Sequence, residues 1–197
     1  SPYRDASEKV IAVAPTHISL TDYASPGVYI TTPVVTPEAA RVHIRTLVES
    51  PADAPAGVQL ACDILDASGK IATSSNEPVT LTPGKRQEIA TDISLPTPHL
   101  WNGRPDPYLY TVRVRLLTAP STGQGQVLDQ VTQPLGVRTF AVDARKGFLL
   151  NGKPYALHGV DRHQDRLDKG WAISDDDTRQ DMGFIRDIRR IISLLPR

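Results

Sequence analysis

The sequence predicts a mainly β chain, in which an immunoglobulin-like antiparallel β-sandwich is followed by the first strand and helix of an incomplete (β/α)₈ barrel. Short apolar–polar alternations separated by proline and glycine fill residues 16–142, which indicates antiparallel strands. After residue 142 one strand pattern is followed by one helical pattern. The 197 residues accommodate a sandwich of about 100–130 residues but no complete barrel, which needs about 250.

Three parts are expected along the chain. Residues 1–15 carry a short apolar alternation and are interpreted as the tail of a preceding element. Residues 16–142 are assigned to the sandwich and residues 143–197 to the beginning of the barrel domain. The opening Ser1-Pro2-Tyr3-Arg4 has neither an initiator methionine nor a signal-peptide pattern, and we interpret it as a cut or incomplete start.

The period-two pattern of a half-buried strand is clearest in residues 41–49. The residues that share one face there are Val42, Ile44, Thr46 and Val48. The same kind of pattern predicts strands over 28–35, 58–64, 89–95, 108–116, 127–132 and 136–142. The 17 prolines agree with an antiparallel sandwich, because proline sets turns and blunts sheet edges.

A hairpin, a buried strand and a helix are predicted after residue 142. Asn151-Gly152 follows the apolar run 147–150 and is typical of a two-residue hairpin turn. The nearly continuous apolar run 155–160 predicts a barrel strand buried on both sides. Ser174 before three aspartates predicts a helix start. One strand, one loop and one helix cannot cover their own apolar faces without the rest of a barrel. We therefore expect exposed apolar side chains at Tyr155, Leu157, Met182, Ile185 and Ile188.

Composition excludes several function classes. The 22 basic and 22 acidic residues balance, which argues against a nucleic acid or an anionic membrane as partner. No apolar run approaches the about 18 residues that span a bilayer. No histidine pair has ligand spacing and no phosphate-loop or dinucleotide motif is present, so no metal or cofactor is predicted for this chain. Cys62 shares a strand face with Leu60 and Ile64 and is interpreted as a buried small apolar residue.

The chemically densest stretch is the loop from Gly159 to Asp165, directly after the predicted barrel strand. Active sites of such barrels lie at the carboxyl ends of the strands. Arg162 and His163 can donate hydrogen bonds to sugar hydroxyls, and Asp165 can accept them. The alternative is a solvated polar loop, and the position at a strand end favours the binding function.

Other polar and aromatic residues receive structural interpretations. Asp175, Asp176 and Asp177 fit a helix cap better than a carboxylate cluster. His158 is interpreted as a buried, hydrogen-bonded histidine. Three aromatic residues near a proline-rich corner could stack on a sugar: Trp101, Tyr108 and Tyr110. Core packing is favoured for Trp101 and for at least one of the two tyrosines.

Three segments, in their order along the chain, resemble those of a known family. They are GVRTF at 136–140, GFLLNGKP at 147–154 and LHGVDRHQD at 157–165. Together they resemble the sandwich-to-barrel junction of family 2 glycoside hydrolases of the β-galactosidase type. Residues 100–110 are similar to an LWxPxxPYLY corner of that sandwich, and residues 181 onward to the first barrel helix. Tyr3-Arg4-Asp5 resembles the end of the sugar-binding jelly-roll domain that precedes the sandwich.

The resemblance implies a retaining glycosidase that hydrolyses O-glycosyl bonds with two glutamates about 5–5.5 Å apart. In the family these glutamates come from later barrel strands, so no catalytic residue is expected here and the chain is expected to be inactive alone. The histidine of the family's Arg-His pair binds sugar hydroxyls, which assigns that role to His163. Arg162 would then be a structural ion-pair partner and Asp165 a further substrate-binding candidate.

For the complete parent enzyme the resemblance implies Mg²⁺ or Na⁺ ions, a β-galactoside or related carbohydrate as substrate, and homo-oligomers in some members. The compartment stays open between cytoplasm and periplasm. After Ile188 the sequence departs from the family, which fits a truncated or frameshifted end and equally a prolonged helix. The alternative functions are a non-catalytic spacer or carbohydrate-binding module, and an adhesion sandwich of unrelated ancestry.

Overall fold

The structure is a computed structural model that describes residues 16–20, 22, 26–51, 53, 57–119, 125–163, 165–167 and 169–194, with the side chains of the last helix described to Asp187. The predictions for residues 1–15, including the Tyr3-Arg4-Asp5 resemblance, lie outside the described residues. The chain divides into two compact units, one ending at Tyr155 and one beginning at Ala156. The predicted domain boundary at residue 142 stays a prediction.

The elements in chain order are β1 (His17–Ile18), β2 (Val28–Val35), β3 (Ala39–Glu49), β4 (Gly57–Leu65), β5 (Ile71–Thr80), β6 (Arg86–Pro96), β7 (Tyr110–Thr118), β8 (Val127–Leu135), β9 (Phe140–Asp143), β10 (Gly147–Leu150), β11 (Lys153–Pro154) and α1 (Asp175–Leu194). In one sheet β3 pairs with β6 on one side and with β1 and β2 on the other. The second sheet has the order β5-β4-β7-β8, and the third is the small sheet β11-β10-β9. Every pairing between these strands is antiparallel.

The two large sheets enclose one hydrophobic core, as the alternation predicts. On β3 the inward residues Val42, Ile44 and Val48 are fully buried. The second sheet contributes buried apolar side chains from β4 and β7, which include Leu60, Cys62, Ile64, Val112 and Val114. The mainly antiparallel β-sandwich is therefore confirmed among the described residues, because side chains alternate between core and surface along β3 and along most of β7.

Cys62 belongs to this core. Its side chain is fully buried, and burial, with smaller contributions from Glu77 and Asp63, raises the pKa of the thiol to about 12. A buried thiol with so high a pKa forms almost no thiolate at neutral pH. The interpretation of Cys62 as a small apolar residue is confirmed.

The predicted hairpin at Asn151-Gly152 is confirmed and joins β10 to β11. Both turn residues have positive φ, 50° at Asn151 and 76° at Gly152, as a two-residue type I′ turn requires. The Asn151 side chain accepts a hydrogen bond from the Thr139 N–H (2.9 Å) and donates one to the Trp101 carbonyl (3.0 Å). The turn is thereby attached to the proline-rich corner of the sandwich.

The aromatic residues of that corner form internal contacts. The Tyr110 hydroxyl accepts a hydrogen bond from the His99 N–H (2.9 Å), and Tyr108 stacks on the His99 ring at 4.0 Å. The Arg138 guanidinium lies 5.2 Å from the centre of the Trp101 ring. Tyr110 is buried and the other two aromatic side chains are half-buried, so packing rather than sugar stacking describes these three residues.

Sequence reasoning missed one strand and predicted one that does not form. β5 was not predicted, because this edge strand is mostly exposed and lacks the apolar alternation of its neighbours. Conversely, residues 155–160 form no strand, although their apolar run resembles one. A strand needs a hydrogen-bonded neighbour, and the described part of the chain places none beside them. For the same reason His158 is exposed and not buried.

The smaller differences concern element ends and exposure. Residues 136–139 lie outside β9, which begins at Phe140. Leu157 and Met182 are exposed, as expected for an unpartnered unit. Tyr155 is half-buried, with its hydroxyl accepting a hydrogen bond from the Arg104 N–H (3.1 Å). Ile185 is also half-buried, and the side chain of Ile188 lies outside the described residues.

Helix α1 continues beyond Ile188 to Leu194, and none of the helix described is apolar enough to cross a membrane.

Candidate functional site

The second unit consists of a loop and helix α1, and the loop contains a closed turn. Arg166 and Gly170 form an antiparallel bridge, in which the Gly170 N–H donates to the Arg166 carbonyl (2.9 Å) and the Arg166 N–H donates back (3.1 Å). Gly170 has a φ of +53°, a conformation that glycine adopts at low cost. The turn therefore presents the next residue, Trp171, from a backbone held by two hydrogen bonds.

The N-terminus of α1 is capped as the sequence predicts. The Ser174 Oγ accepts a hydrogen bond from the Asp177 N–H (3.2 Å), and an Asp177 carboxylate oxygen accepts one from the Ser174 N–H (2.9 Å). This reciprocal arrangement is a capping box. Asp175 and Asp176 are exposed. The interpretation of the three aspartates as a helix start is confirmed.

Two carboxylates of α1 also bind the basic residues of the loop. Asp177 accepts hydrogen bonds from Arg166 and from the Lys169 ammonium, each at 2.9 Å. Asp181 accepts one from the Arg162 Nε at 2.9 Å and another from Arg166. The loop is thus attached to the helix at residues 162, 166 and 169, and charge-assisted hydrogen bonds of this kind are the stronger ones.

These cations keep both carboxyl groups ionised. The Lys169 ammonium, followed by the N–H and hydroxyl of Ser174, holds the pKa of Asp177 far below its ordinary value. Arg166 and then Arg162 lower the pKa of Asp181. In return, Asp181 raises the pKa of Arg166. Asp177 and Asp181 are therefore both carboxylates at neutral pH.

A pocket of about 470 Å³ opens beside this network and is lined by Arg162, His163, Asp165, Trp171 and Ile173. His163 and Asp165 are exposed. Neither forms a hydrogen bond or ion pair with any residue that the structure describes, whereas Arg162 is bonded to Asp181 and Thr178. The pocket combines an available imidazole, an available carboxylate and an exposed aromatic ring, which are groups that bind a polyhydroxylated ligand.

The three residues selected from the sequence, Arg162, His163 and Asp165, thus line one pocket; their roles toward a substrate stay predictions. Sequence reasoning missed Trp171 and the network of Arg166, Lys169, Asp177 and Asp181. Two features of the sequence could have pointed to them. The first is a tryptophan that directly follows a glycine in a polar loop. The second signal is the set of basic residues at 162, 166 and 169, followed by aspartates at 177 and 181. These two aspartates are four positions apart and therefore lie on one face of the helix.

The Mg²⁺ or Na⁺ ions that the family resemblance implies for the parent enzyme stay a prediction. No three histidine, cysteine, aspartate or glutamate side chains come together within the described ranges. Asp177 and Asp181, the partly buried carboxylates beside the pocket, are already neutralised by lysine and arginine.

Comparison with known proteins gives two family matches that follow one another along the chain. Residues 17–138 match glycosyl hydrolases family 2, and residues 140–189 match the TIM barrel domain of the same family. The chain belongs to glycosyl hydrolase family 2. A sandwich followed by the start of a barrel, the fold class that the sequence predicts, is thereby confirmed.

The relatives of this family 2 chain are much longer proteins. A β-glucuronidase of Bacteroides fragilis is 36% identical over 187 residues, which are 94% of this chain and 26% of the relative. A β-galactosidase of Bacteroides ovatus is 30% identical over 148 residues, 75% of this chain and 17% of the relative. The chain therefore spans about a quarter or less of the length of these relatives.

Solved structures agree with this assignment to family 2. The crystal structure of a Bacteroides uniformis β-glucuronidase superimposes with a TM-score of 0.79 at 31% identity, covering 88% of this chain and 20% of that one. A family 2 member from Bacteroides cellulosilyticus gives a TM-score of 0.72 at 27% identity, covering 89% of this chain and 23% of that one.

Proposed function

We propose that this chain supplies the sandwich and the first part of the barrel, with one rim of the sugar site, to a retaining β-glycosidase that acts on β-galactosides or β-glucuronides. The observation that carries the proposal is the pocket in which Arg162, His163 and Asp165 meet. The names of the relatives support this pair of substrate classes, since they include both β-glucuronidases and a β-galactosidase.

The residues of the pocket suit binding rather than bond cleavage. The imidazole of His163 can donate one hydrogen bond and accept another, and the carboxylate of Asp165 can accept several. Each sugar hydroxyl needs a donor and an acceptor when it leaves water, because an unpaired polar group in a site is costly. Arg162 holds the loop through Asp181 and Thr178 and so fixes the position of the neighbouring His163.

Hydrolysis requires groups that this part of the enzyme does not supply. A retaining glycosidase places two carboxyl groups about 5–5.5 Å apart across the scissile bond, one as nucleophile and one as acid/base. All five glutamates of the sequence lie between residues 8 and 88, and the barrel segment 140–189 contains none. In the parent, the glutamate pair would come from barrel strands outside these 197 residues, so the chain alone binds without cleaving.

Two measurements on the purified chain test this function. Release of nitrophenol from 4-nitrophenyl β-galactoside and β-glucuronide is expected to equal the buffer rate, and calorimetry with the corresponding methyl glycosides is expected to give weak binding that His163→Ala removes. His43→Ala, at a histidine within hydrogen-bonding distance of Asp92 on the sandwich surface, is the control and should bind normally. Turnover that persists through repurification and disappears in His163→Ala would contradict the inactivity, and a complete lack of binding would leave only a spacer role.

A further inference from the structure

We propose that Trp171 is an aromatic platform on which the apolar face of the bound sugar ring stacks. This rests on the proposed function, and it extends the site from hydroxyl recognition to recognition of the ring itself. The main observation behind this proposal is that Trp171 lines the same pocket as His163 and Asp165. These two polar side chains have no partners among the described residues.

The exposure of Trp171 is unusual for so large an apolar side chain. The residue is 89% exposed, although burial of an aromatic side chain removes about 150–250 Å² from water and is strongly favourable. No ring stacking or cation contact engages it within the described parts of the chain. Trp101, by contrast, is half-buried and lies beneath the Arg138 guanidinium. Trp171 is therefore not held by internal packing.

The backbone that carries Trp171 is nevertheless fixed. On its N-terminal side are the Arg166–Gly170 bridge and the ion pairs of Arg166 and Lys169 with α1. On its C-terminal side the Ala172 N–H donates to the Lys169 carbonyl (3.1 Å). A side chain presented from a fixed turn loses little freedom on binding, and this favours affinity.

The chemistry of the pocket matches a pyranose. Sugars are amphipathic, because their hydroxyls lie around the ring while C–H groups form an apolar face; in a β-galactoside the hydrogens of C3, C4 and C5 share one face. An indole stacks on such a face, and neighbouring donors and acceptors bind the hydroxyls. Ile173, half-buried in the same pocket, adds apolar surface beside the indole.

The two tryptophans allow a test with an internal reference. Proton–nitrogen correlation spectra of the 197-residue chain contain one indole N–H signal from each, and Trp171→Phe identifies that of Trp171. On titration with methyl β-D-galactopyranoside the Trp171 signal is expected to shift and saturate while the Trp101 signal stays in place. Galactitol, a polyol without a rigid apolar face, should shift the Trp171 signal much less.

Variants then measure what the platform contributes. Trp171→Ala is expected to weaken binding of methyl β-D-galactopyranoside by about tenfold, the size of an aromatic stacking contribution, and Trp171→Phe by clearly less. Leu167→Ala is the matched control, since Leu167 lies in the same turn, is 91% exposed and does not line the pocket. It should bind the sugar like the parent chain.

The outcomes separate this inference from the proposed function. If the sugar shifts the backbone amides of His163 and Asp165 while Trp171→Ala binds normally, the platform is refuted and the hydroxyl site stands; Trp171 would then serve another purpose, such as packing in the longer parent. If none of these three residues responds, both proposals fail. Equal responses to galactitol and to the galactoside would also refute the platform.

Discussion

The Nε of Arg162 donates a hydrogen bond to Oδ2 of Asp181 over 2.9 Å. The other oxygen of the same carboxylate binds Arg166. One side chain on the second turn of α1 therefore holds the residue before His163 and the residue after Asp165. Asp181 is therefore a contact that the two residues flanking both predicted sugar ligands share, beside the bonds of Arg162 to Thr178 and of Arg166 to Asp177.

Removal of the charge at Asp181 is expected to loosen the loop. In Asp181→Asn the side chain keeps its size but loses both ion pairs, so backbone amides of residues 162–171 should exchange with solvent about two- to fivefold faster, the effect of partly exposed ion pairs. Hydrogen exchange followed by mass spectrometry measures this. Asp176→Asn, which removes an exposed ion pair with Arg179, is the control, and equal acceleration in both variants would refute the role of Asp181.

Acid is expected to release the loop through Asp177. The pKa of this carboxyl is lowered in the folded chain by Lys169 and Ser174, so its stabilising effect is fully present above the unfolded value of about 4. The effect is lost as pH falls from there through the lower folded pKa. The fluorescence of Trp171, recorded from neutral to acidic pH in a Trp101→Phe background, should therefore stay constant down to about pH 4 and change below it.

A matched variant checks the origin of that acid transition. Asp177→Asn cannot ionise, so its loop should already be loosened at neutral pH and the transition below about pH 4 should be reduced. Asp175→Asn, at an exposed position in the same first turn of α1, should keep the transition of the parent chain. An undiminished transition in Asp177→Asn would show that another group causes it.

The side chain of Asn151 is expected to stabilise the junction between sandwich and hairpin. Asn151→Ala removes the hydrogen bonds to Trp101 and Thr139 and places a β-carbon at a φ of +50°. The free energy of unfolding should fall by about 2–3 kcal/mol, measured by urea denaturation.

Asn151→Gly separates the two contributions. Glycine accepts the positive φ but lacks the amide, so it should recover about 1 kcal/mol of the loss in the alanine variant. Equal stabilities of the alanine and glycine variants would argue against backbone strain at this turn. A stability like that of the parent chain in both would refute the role of the amide.

The thiol of Cys62 is expected to be inert in the folded chain. Burial raises its pKa from 9.0 to about 12, which lowers the thiolate fraction by about a thousandfold at any neutral pH. Labelling with Ellman's reagent should therefore be slow in buffer and fast in urea. An exposed control is Ser68→Cys in a Cys62→Ala background, which should be labelled rapidly both in buffer and in urea. Rapid labelling of the folded parent chain would contradict the buried position of Cys62.

Patterns within one strand or one turn determine the predictable part of this fold. The alternation of β3 predicts the burial of Val42, Ile44 and Val48, and Asn151-Gly152 predicts its hairpin, because both depend on neighbours in sequence. β5 escaped prediction because an exposed edge strand depends on backbone pairing and not on an apolar face. Residues 155–160 show the converse, an apolar run without a neighbouring strand among the described residues.

The pocket was predictable in part for a related reason. Arg162, His163 and Asp165 stand in one short segment that resembles the family, so the sequence identifies them as a group. Trp171 enters the same pocket only because the loop folds back at Gly170 and is tied to α1 by Arg166 and Lys169. Ion pairs between a loop and a helix are tertiary contacts, and sequence spacing alone indicates the helix face but not its partner.

Chemical protection of His163 tests most directly whether this pocket receives the sugar. Diethyl pyrocarbonate modifies accessible imidazoles, and peptide mapping by mass spectrometry reports each of the five histidines separately. Saturating methyl β-D-galactopyranoside or methyl β-D-glucuronide is expected to slow modification of His163 while leaving His43 and His99, on the sandwich, unchanged. Modification of His163 at the same rate with and without either sugar would contradict the assignment of this pocket to the substrate.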